Sequence, residues 1–343
     1  FFVIILVGDN MGFIGFALKG NYKRHYNNLK KVSQKTGKSA VLMFIDTAVS
    51  ALVFKSGLQD YLNYEFYNKS FSERKTYATI GYQNKFYELA ANVKYAPFFS
   101  NKVNFHKNFS EFTKREFVSY DDGFSKVKDF ISNHKEFVRK PISGLGGQDV
   151  VKLASSDVKD MKTFYEKLKE ENCLLEELVV QDAEWSKLNP NSINTLRIVT
   201  KCIGGKSEIL FAVARIGAGK TIADNFHQGG VGVKINTAKG ILEGEAIDKE
   251  GNVSKETSVT HVKVNGYKIP YWKEIKKMVN KAAKVNDNVN VIGWDVAISK
   301  DGPLIIEGNR GPGMDLVQVL YKRGVKPDLE KVKKEIIAYQ KGR

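Results

Sequence analysis

The sequence predicts an α+β protein with a mainly helical N-terminal part, and two observations carry that expectation. Through the first part of the chain, aromatic and basic residues recur at roughly helical spacing, as in LNYEFYNKSFSERK from Leu62 to Lys75. After about residue 95 the texture changes. Short apolar runs alternate there with Gly and Asn turns and with charged helical stretches, the pattern of an α+β body.

Wide aromatic stripes predict helices from Tyr22 to Leu29 and from Val53 to Phe71. Between them, SAVLMFIDTAVSALVF reads as a buried helix or as a strand followed by a helix, and periodicity does not decide between the two. A helix is expected around Gln83 to Val93, ending before Pro97, with a shorter one from near Ser100. The runs EFVRKP, CLLEELVV, NTLRIVTKCI, SEILFAVARI and NVIGWDVAIS read as strands. A helix from Ser156 to Glu171 has Ser155 or Ser156 as its cap. Another, Pro270 to Lys284, opens on proline, and the last begins near Asp328 after Pro327. The expected parts are 1–95, mainly helical; 96–185, with a glycine-rich flap; and 186–343, with a metal site.

A chain of 343 residues exceeds what one hydrophobic core usually organises, and its composition excludes a disordered or collagen-like protein. The net charge of +16 favours anionic partners, with a lysine-rich solvated surface as the bland alternative. Cys173 and Cys202 lie far apart, without CxxC spacing, which fits a reducing compartment. The five histidines are scattered, which argues against zinc. The apolar run Phe1 to Leu18, interrupted by Asp9 and Asn10 and followed by Lys19, Lys23 and Arg24, reads either as a buried strand and turn or as a membrane or partner contact.

Five segments could carry chemistry. In FVRKPISGLGGQDVVKL, Lys140 precedes Gly144, Gly146 and Gly147, a loop able to fold over phosphate oxygens or to serve as an ordinary hairpin. In CLLEELV, Glu176 and Glu177 end an apolar strand, which could offer backbone groups to an adenine edge and a carboxylate to a ribose, or simply leave the core. Arg197, inside the apolar strand NTLRIVT, must emerge on the face opposite Leu196 and Ile198, where a phosphate or carboxylate could meet it. Arg215, Asp224, Asn225 and His227 occupy a strand and the polar connection after it, which could form a cleft wall or a solvated loop. Last, in WDVAISKDGPLIIEGNRGPGMD a turn at Asp301-Gly302 reverses the chain. Asp295 then lies on one strand, with Glu307 and Asn309 two apart on the next, so that all three aim at one point. Oxygen ligands alone suit Mg²⁺ held jointly with substrate phosphates.

In this order the segments resemble the sugar-transfer associated branch of the ATP-grasp superfamily, related to α-L-glutamate ligases. The resemblance runs from about Leu62 to Gly324 through YLNYEFYNKSFSERKTY, KPISGLGGQDV, NTLRIVT, HQGGVGVKI, IPYW and IGWDVAISKDGPLIIEGNRGPG. It implies an ATP-grasp fold, ATP and Mg²⁺ as cofactors, and a role in polysaccharide or peptide modification. It further implies Lys140 and Lys102 as nucleotide-side lysines and Gly144, Gly146 and Gly147 as the flap. Glu176, Glu177, Leu178 and Val179 would form the adenine hinge, and Asp295, Glu307 and Asn309 would bind metal. Arg197, Arg215 and Arg310 would serve the acyl phosphate or substrate carboxylate, with His227 beside Asp224 and Asn225 on the acceptor side. HVKVNGYKIP departs from the family pattern in lacking a proline after His261.

The activity implied is ATP-dependent carboxylate-amine ligation through an acyl phosphate, on small-molecule carboxylate and amine substrates. The alternatives are a small-molecule phosphotransferase and a non-catalytic polyanion-binding protein. No motif for nucleic-acid reading is found. A cytoplasmic protein is expected, with peripheral membrane contact and a homodimer as open alternatives.

Overall fold

The computed structural model describes residues 21–144, 149–217 and 229–342. Its longer helices are α1 (Tyr22–Thr36), α2 (Ala40–Phe54), α3 (Ile80–Ala90), α4 (Lys102–Asn108), α5 (Phe124–Asn133), α6 (Met161–Glu170), α7 (Trp272–Ala282), α8 (Asp315–Tyr321) and α9 (Lys326–Lys341). Its strands are β1 (Phe117–Ser119), β2 (Glu136–Pro141), β3 (Val151–Ala154), β4 (Cys173–Glu177), β5 (Thr195–Ile203), β6 (Lys206–Ile216), β7 (Val231–Asn236), β8 (Ile241–Asp248), β9 (Val253–Ser254), β10 (Val291–Ser299) and β11 (Gly302–Arg310). The α+β class with a helix-rich N-terminal region is thus observed. The chain forms two units, one from the residues up to Leu89 together with those from Gly313 onward, the other from Ala90–Pro312.

In the helical unit, Asn21 accepts a hydrogen bond from the Arg24 amide at 2.9 Å to start α1, and Gly37 ends it in the left-handed region at φ 72°. Ser39 then caps α2, so the run that periodicity left open is one helix. That helix is not buried. Met43, Thr47 and Ser50 face the interior, whereas Val41, Leu42, Ile45, Val49, Leu52 and Val53 are 45–67% exposed. The aromatic stripes fold inward, but Val53–Phe71 is not one helix: it holds the end of α2, a short helix at Leu58–Asn63 and a 3-10 turn at Phe66–Asn68. Tyr61, Tyr64, Phe66 and Tyr77 pack with Leu29 and Met43 into one core, with the Tyr64 and Tyr77 rings 4.9 Å apart. Asp46 receives a two-pronged pair from Arg74 at 2.7 and 2.8 Å. Asp60 accepts the amides of Gly57 and Ile80, both at 2.8 Å, and burial pushes its carboxyl up to about 6. Gln318 on α8 ties the C-terminal segment to this core, accepting from the Ala78 amide at 2.7 Å and donating to the Ala78 carbonyl at 3.1 Å.

The second unit holds two antiparallel sheets, a small one in the order β1-β4-β2-β3 and a large one in the order β11-β10-β5-β6-β7-β8-β9. All nine residues of β10 are buried, with α7 packed against neighbouring β5 and β6. Helix starts shift from expectation: α3 begins at Ile80 and α9 at Lys326, and two further shifts have a visible cause. Ser155–Asp157 form a 3-10 turn and α6 begins at Met161, because the Asp160 carboxylate captures the Lys162 amide at 3.0 Å. Helix α7 begins at Trp272, two residues past Pro270, since Tyr271 adopts φ 55°, outside helical geometry.

Candidate active site

Side-chain parity assembles one face of the large sheet. Register pairs Asp295 with Glu307 on one side and with Arg197 on the other, and pairs Thr195 with Arg215. Directly opposed residues share a face, as do residues two apart, so Arg197, Arg215, Asp295, Glu307 and Asn309 all project to the same side. A bulge between Asp295 and Val296 lets one extra residue, Ile306, slip by on β11 without losing that alignment. Gly308, between Glu307 and Asn309, is held to glycine by close packing. A Cβ there would lie 2.9 Å from the Phe105 ring and 3.0 Å from that of Trp294.

Within this face Asp295 is buried and stands against two guanidinium groups, Arg197 Nε at 2.6 Å and Arg215 Nη2 at 3.0 Å. Burial acts to raise its pKa, but the two arginine charges outweigh that and hold the carboxyl below the usual range. Glu307 goes the other way, pushed up by burial and by the adjacent Asp295 charge, while Asn309 Nδ2 donates to its Oε1 at 3.1 Å. Arg215 also donates to Thr195 Oγ1 from Nε at 3.0 Å and Nη2 at 2.9 Å, which fixes its plane.

This donor set fits a hard divalent cation. Asp295 Oδ1 touches Arg197 Nε but has no aligned hydrogen bond, and the two neighbouring carboxyl groups, one displaced up and one down, both feel the Arg197 charge. Among the described residues no group of three His, Cys, Asp or Glu side chains converges, so Asn309 would complete the set.

The small sheet supplies a second cluster. Glu176 pairs with Val138 in register, and Lys140, two residues on, lies on the same face diagonally opposite. The Glu176 carboxylate meets Lys140 Nζ, Arg115 Nη1 at 2.5 Å and His106 Nε2 at 2.5 Å, all of them almost fully buried. Burial would raise the Glu176 pKa, but Arg115, Lys140 and the His106 hydrogen bond drive it well below the ordinary value. Lys140 and His106 are both lowered by burial, with Glu176 acting against that on each. The structure places Glu176 at the centre of this ion cluster. Glu177 points to the other side, where its carboxylate accepts the Glu116 amide at 3.2 Å. Leu178 and Val179 follow β4 outside regular secondary structure and lead into Gln181, which bridges to Ser299 of β10, so they are the short link from small sheet to large.

Lys102 lies between the clusters. Its Nζ donates to the Gly144 carbonyl at 3.3 Å and feels the charges of both Glu307 and Glu176, while burial lowers its pKa. Gly144, at φ 132°, opens the glycine loop; Gly146 and Gly147 lie outside the described residues, as do His227, Asp224 and Asn225. Arg310 does not join the acid–arginine face. One residue past Asn309, it turns to the opposite side and donates to the Ala91 carbonyl. His106 and Arg115 are missed by sequence reasoning. The one signal for His106 is its position four residues after Lys102 on the same face of α4.

A small sheet with a buried lysine beside a glycine loop, linked by a few extended residues to a large sheet with an acid–arginine face, is the plan of an ATP-grasp enzyme. The chain belongs to the sugar-transfer associated ATP-grasp family, whose model matches residues 63–334. Among solved structures it is similar to the ATP-grasp ligase PsnB complexed with minimal precursor, at 13% identity and TM-score 0.43 over 73% of this chain and 63% of that one. It is also similar to D-alanyl-alanine synthetase A from Vibrio cholerae, at 13% identity and TM-score 0.44 over 73% and 67% of the two chains. A third likeness is phosphoribosylamine–glycine ligase from Thermotoga maritima, at 12% identity and TM-score 0.41 over 65% and 50%. In the PsnB match the chain spans under two thirds of the PsnB chain. A search of curated proteins found no match.

Proposed function

We propose that the protein is an ATP-dependent carboxylate-amine ligase acting on small molecules. The observation that carries this reading is the shared face of Asp295, Glu307 and Asn309 with Arg197 and Arg215. Three oxygen donors beside two guanidinium groups can hold a triphosphate and a carboxylate together. In the reaction, a substrate carboxylate oxygen attacks the γ-phosphorus of ATP and the bond to ADP breaks. An amine nitrogen then attacks the acyl carbon, phosphate leaves, and the amine proton passes to solvent.

Asp295, Glu307 and Asn309 would hold Mg²⁺, which when bound offsets charge on the phosphate oxygens. Lys140 and Lys102 bring positive charge toward the nucleotide from the glycine-loop side. Arg197 and Arg215, already aligned by Asp295 and Thr195, orient the substrate carboxylate and stabilise the oxyanion formed when the amine adds. The loop from Gly144 onward would cover the acyl phosphate and exclude water.

Hydroxylamine trapping tests this directly. Incubation with ATP, Mg²⁺ and a carboxylate library should yield hydroxamates with stoichiometric ADP, and Glu307→Gln should lower turnover by at least about 100-fold with thermal unfolding retained. A stable phosphorylated alcohol in place of a hydroxamate would establish the phosphotransferase instead. Wild-type turnover in Glu307→Gln would refute the metal assignment.

A further inference from the structure

Helix α2 is amphipathic in the wrong sense for a helix facing water. Its interior side carries Thr47, which donates to the Met43 carbonyl and contacts His25 Nε2 at 3.1 Å, and Ser50, which accepts from Arg74 at 3.2 Å. Its outward side carries Val41, Leu42, Ile45, Val49, Leu52 and Val53, at positions that fall along one flank of the helix. A contiguous exposed apolar face of this kind calls for an apolar partner.

The charges around it identify that partner. Lys23, Arg24, Lys30, Lys31 and Lys35 are exposed along α1, Lys38 follows in the turn, and α1 contains no acidic residue. The single acid of α2, Asp46, is engaged by Arg74. At the C-terminal end of α2, Val53 and Lys55 enter a cleft of about 530 Å³ lined also by Arg74, Lys75, Lys326, Lys333 and Glu330. A second copy of the chain would bring the same cations against each other. An acidic protein could answer the lysines, but only by also presenting an apolar groove in register with a 15-residue helix. An anionic bilayer offers acyl chains beneath a layer of phosphates and satisfies both features at once.

We propose that the α1–α2 side of the helical unit docks on an anionic lipid bilayer, with α2 lying in the interface and lipid phosphates meeting the lysines of α1 and of the cleft. At 15 residues, about 22 Å, α2 is too short to span, and none of the described helices is long and apolar enough to do so. The surface shares no residue with the acid–arginine face, so docking does not depend on the ligase reading.

Vesicle co-sedimentation of the full chain tests it, with phosphatidylcholine vesicles against phosphatidylcholine containing 30% phosphatidylglycerol. Binding should be at least about tenfold tighter on the anionic vesicles and should weaken as salt rises from about 0.05 to 0.5 M. Leu42→Glu combined with Leu52→Glu should lower it at least about tenfold on anionic vesicles. Both side chains are exposed, so circular dichroism and thermal unfolding should be unchanged. Lys30→Glu combined with Lys31→Glu should weaken binding to anionic vesicles alone. Equal binding to both vesicle types, or binding indifferent to these changes, overturns the proposal. So does a dimer in sedimentation equilibrium that Leu42→Glu dissociates while vesicle binding stays intact, which would assign the face to a second copy.

Discussion

Replacing Glu176 by Gln tests whether the buried ion cluster holds the small sheet together. The carboxylate is 1% exposed and is the common counter-ion of Lys140 and Arg115, with His106 also bonded to it. Glutamine keeps the shape and one acceptor but removes the charge, leaving two buried cations facing an amide. Breaking a buried pair in this way costs about 3–5 kcal/mol. At about 2–4 °C per kcal/mol for a domain of this size, the melting temperature should fall by roughly 6–20 °C. Glu177→Gln, one residue along on the other side of β4, makes the matched control and should stay within about 0.5 kcal/mol of wild type. Guanidinium unfolding of the two variants supplies the comparison. The sign of the pH dependence follows from the depressed Glu176 pKa. The stabilisation is complete above the unfolded carboxylate value of about 4.3 and is lost only as pH falls through the much lower folded value, so Glu176→Gln should flatten the acid limb. A loss under about 1 kcal/mol for Glu176→Gln would refute the argument, as would additive losses when Lys140→Met is combined with it, since a shared pair must couple.

Asp60→Asn retains an acceptor for the Gly57 and Ile80 amides but cannot ionise. In wild type the carboxyl, raised to about 6, favours the folded state fully below about pH 4 and loses that advantage as pH climbs through 6, so stability should be lower at pH 7.5 than at pH 5. Denaturant unfolding across that range should show the slope vanish in Asp60→Asn. Lys140→Ala should weaken ATP binding about tenfold or more by calorimetry, as one charge-assisted contact is removed; unchanged affinity would displace Lys140 from the nucleotide side. Gly308→Ala should destabilise by about 1–3 kcal/mol, because the new Cβ meets the Phe105 and Trp294 rings at about 3 Å, and chemical unfolding would register it.

Much of the large-sheet face was legible before any coordinates. The turn at Asp301-Gly302 and the two-residue period of strands suffice to align Asp295 with Glu307 and Asn309, and the register of β10 with β11 bears this geometry out. The same parity places Arg310 on the far side of β11 from Asn309, where it donates to the Ala91 carbonyl. Glu176 was a different case. Its partners His106 and Arg115 lie 70 and 61 residues away, and no local pattern announces a pairing that depends on how α4 settles against the small sheet. The inverted faces of α2 were equally hidden. A run so apolar reads as core, and only the docking of His25 and Arg74 decides that the hydroxyl side turns inward.

The tie from Gln318 to Ala78 also bears on how the chain matures on the ribosome. The helical unit is built from both flanks of a contiguous sheet body, so its last partners emerge only after Gly313. At roughly 5–20 residues per second, the residues up to Leu89 wait roughly 11–45 s before those from Gly313 onward begin to emerge, while the sheets can fold as a unit in the interval. During that wait the aromatic core around Tyr64 lacks its cover from Val319, which makes the nascent helical segment the stretch most in need of a chaperone.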